Sequence, residues 1–253
     1  MTSTPMGART SPGGLAARCL LLLVLATPAL AARPWPDTSQ RIVPFADQLP
    51  GNLNATQRWF AATRFAGTQK MLQSEIQALR MYNTNFLCLH YQLGVGAGAA
   101  DFIVGNAWTS DWAFVDAQAN WFLTTTNGQR VHQNQWDWDV MDVRYADGTP
   151  VTGFPDYWIS NVLARIRAAE DDGVFADSFT PDAYGFGQST PEHPWLDDVD
   201  GCLATWVPSL ERFGHAARDA LAGTNGFVFL PNLGALVTSW LDMDYGLGHG
   251  GMI

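Results

Sequence analysis

Cysteine is scarce. Three occur in 253 residues, and Cys19 falls in an apolar leader. The remaining two, Cys88 and Cys202, are too few for a disulfide framework and lack the spacing of a zinc site. They allow one bridge in an oxidising compartment, and Cys88, inside an apolar run, reads equally as a buried thiol. Basic residues are also few, 14 Lys and Arg against 24 Asp and Glu, for a net charge of −10. Phosphate backbones are held by clustered Lys and Arg, so nucleic acid is excluded as a partner. Beyond the leader no apolar run is long enough to cross a bilayer, and no membrane span is expected. No two of the five histidines sit at ligand spacing. Asp197-Asp198-Val199-Asp200 lacks the EF-hand pattern, so neither a metal nor another cofactor is expected.

What is present begins with that leader. Arg9 and Arg18 supply positive charge, Cys19 to Leu30 is an apolar core, and Ala29-Leu30-Ala31 fits a small-x-small cleavage site. Residues 1–31 therefore read as a signal peptide, and the mature chain, 32–253, is expected to be secreted or periplasmic. The remainder is long enough for one large domain. The chain carries 11 tryptophans, a high count for its length; most read as core residues, and a surplus on loops suits the flat apolar faces of sugars.

The organising stretch is Asp172-Gly173-Val174-Phe175-Ala176-Asp177-Ser178-Phe179. It is a short β-branched and aromatic run, entered through Asp-Gly and ending on a carboxylate, which reads as a buried strand. Pro155 to Ala169 before it has Trp158, Ile159, Val162, Leu163 and Ile166 at helical spacing. In a sheet built from such αβ units, ligands meet the C-terminal ends of the strands, and Asp177 stands there. Other strands are expected at Arg41–Asp47, Asn85–Tyr91, Asn120–Leu123 and Gly226–Leu230, and at the start of His249–Ile253. Helices are expected over Gln69–Met81 and Val207–Leu221. These strand ends nominate Asp47, His90, Tyr91 and Asn232, with His90 and Tyr91 on the face of Asp177. Trp136-Asp137-Trp138-Asp139 reads as a solvated loop pinned by its two tryptophans, or as a groove in which indoles stack and acids accept hydroxyls, with Trp136 as the sugar contact. Gly94 to Gly98 lacks the dinucleotide fingerprint and reads as a flexible loop. Asn54-Ala55-Thr56 is a glycosylation sequon.

The Arg41–Asp47 opening, the His90-Tyr91 strand end, Asp172 to Asp177 and Pro231-Asn232 together resemble the glycoside hydrolases of the (β/α)8-barrel class. That set includes hypothetical glycosyl hydrolases and endo-α-1,4-polygalactosaminidase-like proteins. The resemblance runs from about Arg41 to the last residue. It implies a TIM-type α/β barrel, a poly- or oligosaccharide substrate, and Asp177 as a catalytic carboxylate. The second acid of such enzymes belongs on a later strand. The Gly-Gly-Met-Ile run is similar to runs followed by Glu, and here the sequence stops at Ile253. With about six strands in view, the expectation is a barrel incomplete at its C-terminus, with Asp244 or Asp242 as the second acid. A non-catalytic carbohydrate-binding remnant is the alternative. A metal-dependent hydrolase using Asp177, Asp182 and a histidine ranks last.

Overall fold

The computed structural model describes residues 32–99, 109, 111–125, 127–181, 199–234, 243–244 and 246–250. The leader, most of the Thr180–Gly201 loop and Asp242 lie outside these residues. Five parallel strands make the main sheet: β1 (Ala46–Gln48), β2 (Gly67–Gln69), β3 (Leu87–Leu93), β4 (Gly173–Asp177) and β5 (Val228–Pro231). Their order in space is their order in the chain, and every neighbouring pair is parallel. Doubly wound sheets reverse direction at a switch point; this one winds one way throughout. All five C-terminal ends therefore share one edge.

Helices α1 (Ala55–Arg64), α2 (Gln73–Arg80), α3 (Phe154–Ala169) and α4 (Val207–Asn225) run between the strands. Asn54 starts α1 through a capping box: its Oδ1 accepts from Gln57 N at 3.0 Å, and Gln57 Oε1 accepts from Asn54 N at 2.9 Å. The sequon asparagine is thus a helix cap. Pro155 sits in the first turn of α3, which buries Trp158, Val162 and Ile166 and ends at Glu170 in the left-handed region, φ 60°. On α4, Leu210, Phe213, Ala217 and Leu221 are buried, and Gly226 closes the helix at φ 72°. Trp158 and Phe179 meet Phe213 at centroid distances of 5.3 Å, while Phe179 packs edge-on to Phe229 at 5.5 Å. Gly173 lets β5 close on β4, because a Cβ there would lie 2.2 Å from Val228 O.

The αβ unit around Asp177 is as its sequence predicts. Elsewhere the structure differs. The first strand is shorter and later than Arg41–Asp47. Gln69 belongs to β2 rather than to a helix, and α2 starts only at Gln73. Asn120–Leu123 is not a strand of the main sheet: Ala119–Trp121 is a 3-10 turn, and Phe122 bridges Met141 antiparallel. Gly94–Gly98 is not a loose loop. Gly96–Ala97 pairs with Trp138–Val140, which pairs in turn with His132–Gln133 in a three-stranded antiparallel sheet. The Trp138 ring lies so close that a Cβ on Gly96 would be 2.3 Å from it. At the C-terminal end of the described chain, His249 N donates to Phe229 O at 3.0 Å and its Nδ1 accepts from Phe229 N at 3.0 Å. Cys88 and Cys202 are both buried, and no disulfide joins them.

Opposite the strand C-termini lies a buried ion cluster. Asp172 Oδ1 accepts from Arg33 N at 3.1 Å and Arg33 Nη1 at 3.0 Å. Its Oδ2 accepts from Arg80 Nη2 at 2.8 Å and from Cys88 N at 2.9 Å. This ties the segment before β1 to the start of β4.

Candidate active site at the strand C-termini

Asp177 ends β4 and is half-buried. Its Oδ2 accepts from the Tyr91 hydroxyl at 2.6 Å; its Oδ1 accepts from Asn232 Nδ2 at 2.7 Å and from Ser178 N at 2.9 Å. Ser178 reaches back because it adopts φ 52°, a left-handed conformation uncommon outside glycine. All three partners are donors, the pattern that fits a carboxylate rather than a carboxylic acid. Tyr91 rises from β3, two positions short of Leu93, which is in register with Asp177, so the long phenol spans the step. Its ring stacks on Phe175 at 6.1 Å. Burial first, and then the Asp177 charge, hold the phenol pKa far above its ordinary value, so Tyr91 stays a donor.

The neighbouring strand ends continue the polar edge. Asp47, on β1, accepts at Oδ1 from Gln69 Nε2, and its side chain is 61% exposed. Lys70 follows β2 at φ 60°. Its Nζ lies 4.0 Å from Asp47 Oδ1, 4.7 Å from the Tyr91 ring centroid and 5.7 Å from that of Phe175. Each of the five strands thus delivers a polar side chain to this edge: Asp47, Gln69 with Lys70, Tyr91, Asp177 and Asn232. Gln69 and Lys70 were missed from sequence. One signal was there, since Lys70 is the only lysine in the chain.

Three nominated residues stand elsewhere. His90 cannot share a face with Tyr91, because side chains of consecutive strand residues alternate. It faces Asp171, with Nδ1 3.8 Å from Asp171 Oδ2, and desolvation, then the Arg165 charge, push its pKa down to about 4. Asp244 lies against α4: its Oδ2 meets His215 Nε2 at 3.0 Å, and its own N–H donates to Glu211 Oε1 at 2.6 Å. The side chain is 51% exposed, and the Gly246 N–H, then His215, lower its pKa. A proton-donating acid needs the opposite shift, and the contacts of Asp244 are with α4 rather than with Asp177 or its partners. Trp136 is exposed at the turn between His132–Gln133 and Trp138–Val140, where its N–H donates to Gln133 Oε1 at 2.8 Å. In the rest of that aromatic-acid run Trp138 is buried and Asp139 is held by His132 at 2.8 Å, while Asp137 is exposed.

Beside the Asp172 cluster, burial raises the Asp171 pKa to about 7, against a partly offsetting hydrogen bond from Cys88. The folded state therefore keeps a proton that the unfolded chain releases near pH 4. The Asp171 contribution to stability should fall as pH rises from about 4 to about 7, by a few kcal/mol in order of magnitude, and then level off. His90, with its pKa down at about 4, contributes the opposite slope up to about pH 6.5. Across that window the melting temperature of the parent chain should fall relative to that of Asp171→Asn, in which only the Asp171 slope is missing. Equal slopes would contradict the assignment.

Among the described residues no group of His, Cys, Asp and Glu is arranged to hold a metal ion, and no helix is long and apolar enough to cross a membrane. In comparison with family models, residues 80–253 match the hypothetical glycosyl hydrolase family 15. Comparison with curated proteins gives no match. The matched stretch contains Tyr91, Asp177 and Asn232; Asp47, Gln69 and Lys70 precede it.

Proposed function

Because the chain belongs to this hypothetical glycosyl hydrolase family, we propose that it is a secreted glycoside hydrolase acting on a poly- or oligosaccharide. The carrying observation is the Asp177 carboxylate, fixed by three donors at the end of the fourth strand. Glycoside hydrolysis needs one ionised carboxyl group and one protonated one across the scissile bond. The hydrogen bonds suit Asp177 to the ionised role, as nucleophile or base. Asp47, on the first strand, and Asn232, after the fifth, offer polar groups to sugar hydroxyls. The one-way winding of the five strands is what a (β/α)8 barrel requires, and we read the sheet as part of one. The Arg9 to Ala31 leader supports export.

The test is release of reducing ends from a panel of polysaccharides and aryl glycosides. Tyr91→Phe removes one charge-assisted hydrogen bond from Asp177 and should lower kcat/KM about 10- to 100-fold. An unchanged kcat/KM would detach Tyr91 from the chemistry. One observation favours a second reading, a carbohydrate-binding protein without turnover. Among the described residues, no carboxyl group with a raised pKa joins Asp177 at this edge. Sugar binding without hydrolysis across the panel would select that reading.

A further inference from the structure

We infer that Asp47 and Lys70 form a charged donor–acceptor pair that orients a neutral pyranose unit through two adjacent free hydroxyls. The inference rests on the proposed carbohydrate function and names the sugar that the site takes. Lys70 Nζ is 4.0 Å from Asp47 Oδ1, beyond hydrogen-bond distance, so among the described residues its N–H groups are not spent on a protein oxygen. A left-handed backbone, φ 60°, directs the chain's only lysine to this edge, and the Tyr91 and Phe175 rings flank its ammonium. Such a conformation costs a non-glycine residue free energy, and here it fixes where Lys70 points.

Asp47 is the complementary half. Gln69 Nε2 holds its Oδ1, while its Oδ2 meets no donor among the described residues. Gln69 itself is 3% exposed, and its Oε1 has no partner there. A buried amide committed on one side to an exposed carboxylate orients that carboxylate toward solvent rather than toward the core. Adjacent ring hydroxyls offer an acceptor and a donor side by side: one takes an ammonium N–H, the other donates to the carboxylate. The two charges cancel, so an uncharged sugar fits better than a uronate or an amino sugar. With Lys70 over the Tyr91 face, that ring supports the ammonium instead of stacking on the sugar.

The experiment uses the full chain carrying Asp177→Asn, so that binding is read without turnover. The probes are 4-nitrophenyl glycosides of glucose, galactose and mannose, with single-deoxy analogues of whichever binds, titrated by calorimetry. Lys70→Met and Asp47→Asn should each weaken the parent glycoside about 10-fold or more, the loss expected for a charge-assisted hydrogen bond. Against the analogue that lacks the matching hydroxyl, the same substitutions should cost almost nothing. Because Lys70 is the only lysine, acetylation followed by mass gives a second readout: the bound glycoside should slow modification of the ε-amine and leave the α-amine unaffected. Tight glycoside binding that ignores both substitutions and gives no protection would overturn the inference while sparing the hydrolase reading. Failure of every glycoside to bind, together with no hydrolysis by the parent chain, would remove both.

Discussion

Asp177→Asn is expected to reduce glycan hydrolysis on the order of 10⁴-fold, the scale seen when one essential member of a catalytic group is neutralised. The substitution keeps volume and shape. Its amide oxygen still accepts from Asn232 and Ser178, and the Tyr91 hydroxyl, both donor and acceptor, turns to accept from the new NH₂. The melting temperature should therefore move by no more than about 2 °C, in line with a site whose three partners all remain satisfied. What disappears is the charge that would attack the anomeric carbon or activate water. Hydrolysis must be measured on the best substrate of the panel, with the melt recorded on the same sample. Retention of a tenth of the activity would show that Asp177 only positions groups, and the catalytic carboxylate would have to be sought on another strand.

The sequence disclosed this residue for a physical reason. A parallel strand buried on both faces is a short apolar run with turn signals at each side, and Gly173 to Asp177 has that form. Tyr91 and Asn232 were legible by the same logic, as polar residues where apolar runs end. Gly67-Thr68-Gln69 was not. A three-residue strand made of a glycine and two buried polar residues carries no periodicity, and the apolar residues after it drew the helix start forward to Gln69. With β2 hidden, Lys70 had no strand end to mark it. His90 shows a different failure, because the two-residue alternation was in the sequence and places it opposite Tyr91. Asp244 depended on how the chain folds back on α4, which no local pattern encodes. In the insert between β3 and α3, Trp136 to Asp139 reads as a pinned loop or as a sugar groove, and in the fold Trp138 packs on Gly96 while Asp139 serves His132 and Arg130.

At the other end of the same strand, Asp172→Asn is expected to destabilise the fold by about 3–5 kcal/mol, the penalty for removing one partner of a buried ion pair. The Asp172 side chain is 1% exposed, and its two oxygens collect Arg33, Arg80 and the Cys88 amide. Arg80 is itself buried, and desolvation lowers its pKa even with Asp172 in place. Asparagine would leave that guanidinium without its counter-charge and, in either amide orientation, point an NH₂ at donors on one side. For a domain of this size the loss corresponds to a fall in melting temperature of roughly 10 °C. Replacing Arg80 with Met in the Asp172→Leu background should recover part of the loss, because an apolar pair of similar volume carries no desolvation cost. Calorimetric melts of the parent, Asp172→Asn, Asp172→Leu and the double variant decide the matter. A single variant that melts within about 2 °C of the parent would mean that water reaches this cluster, since exposed pairs contribute only about 0–1 kcal/mol. The strand would then be anchored by its apolar residues alone, and Arg33 would not fasten the N-terminal segment to it.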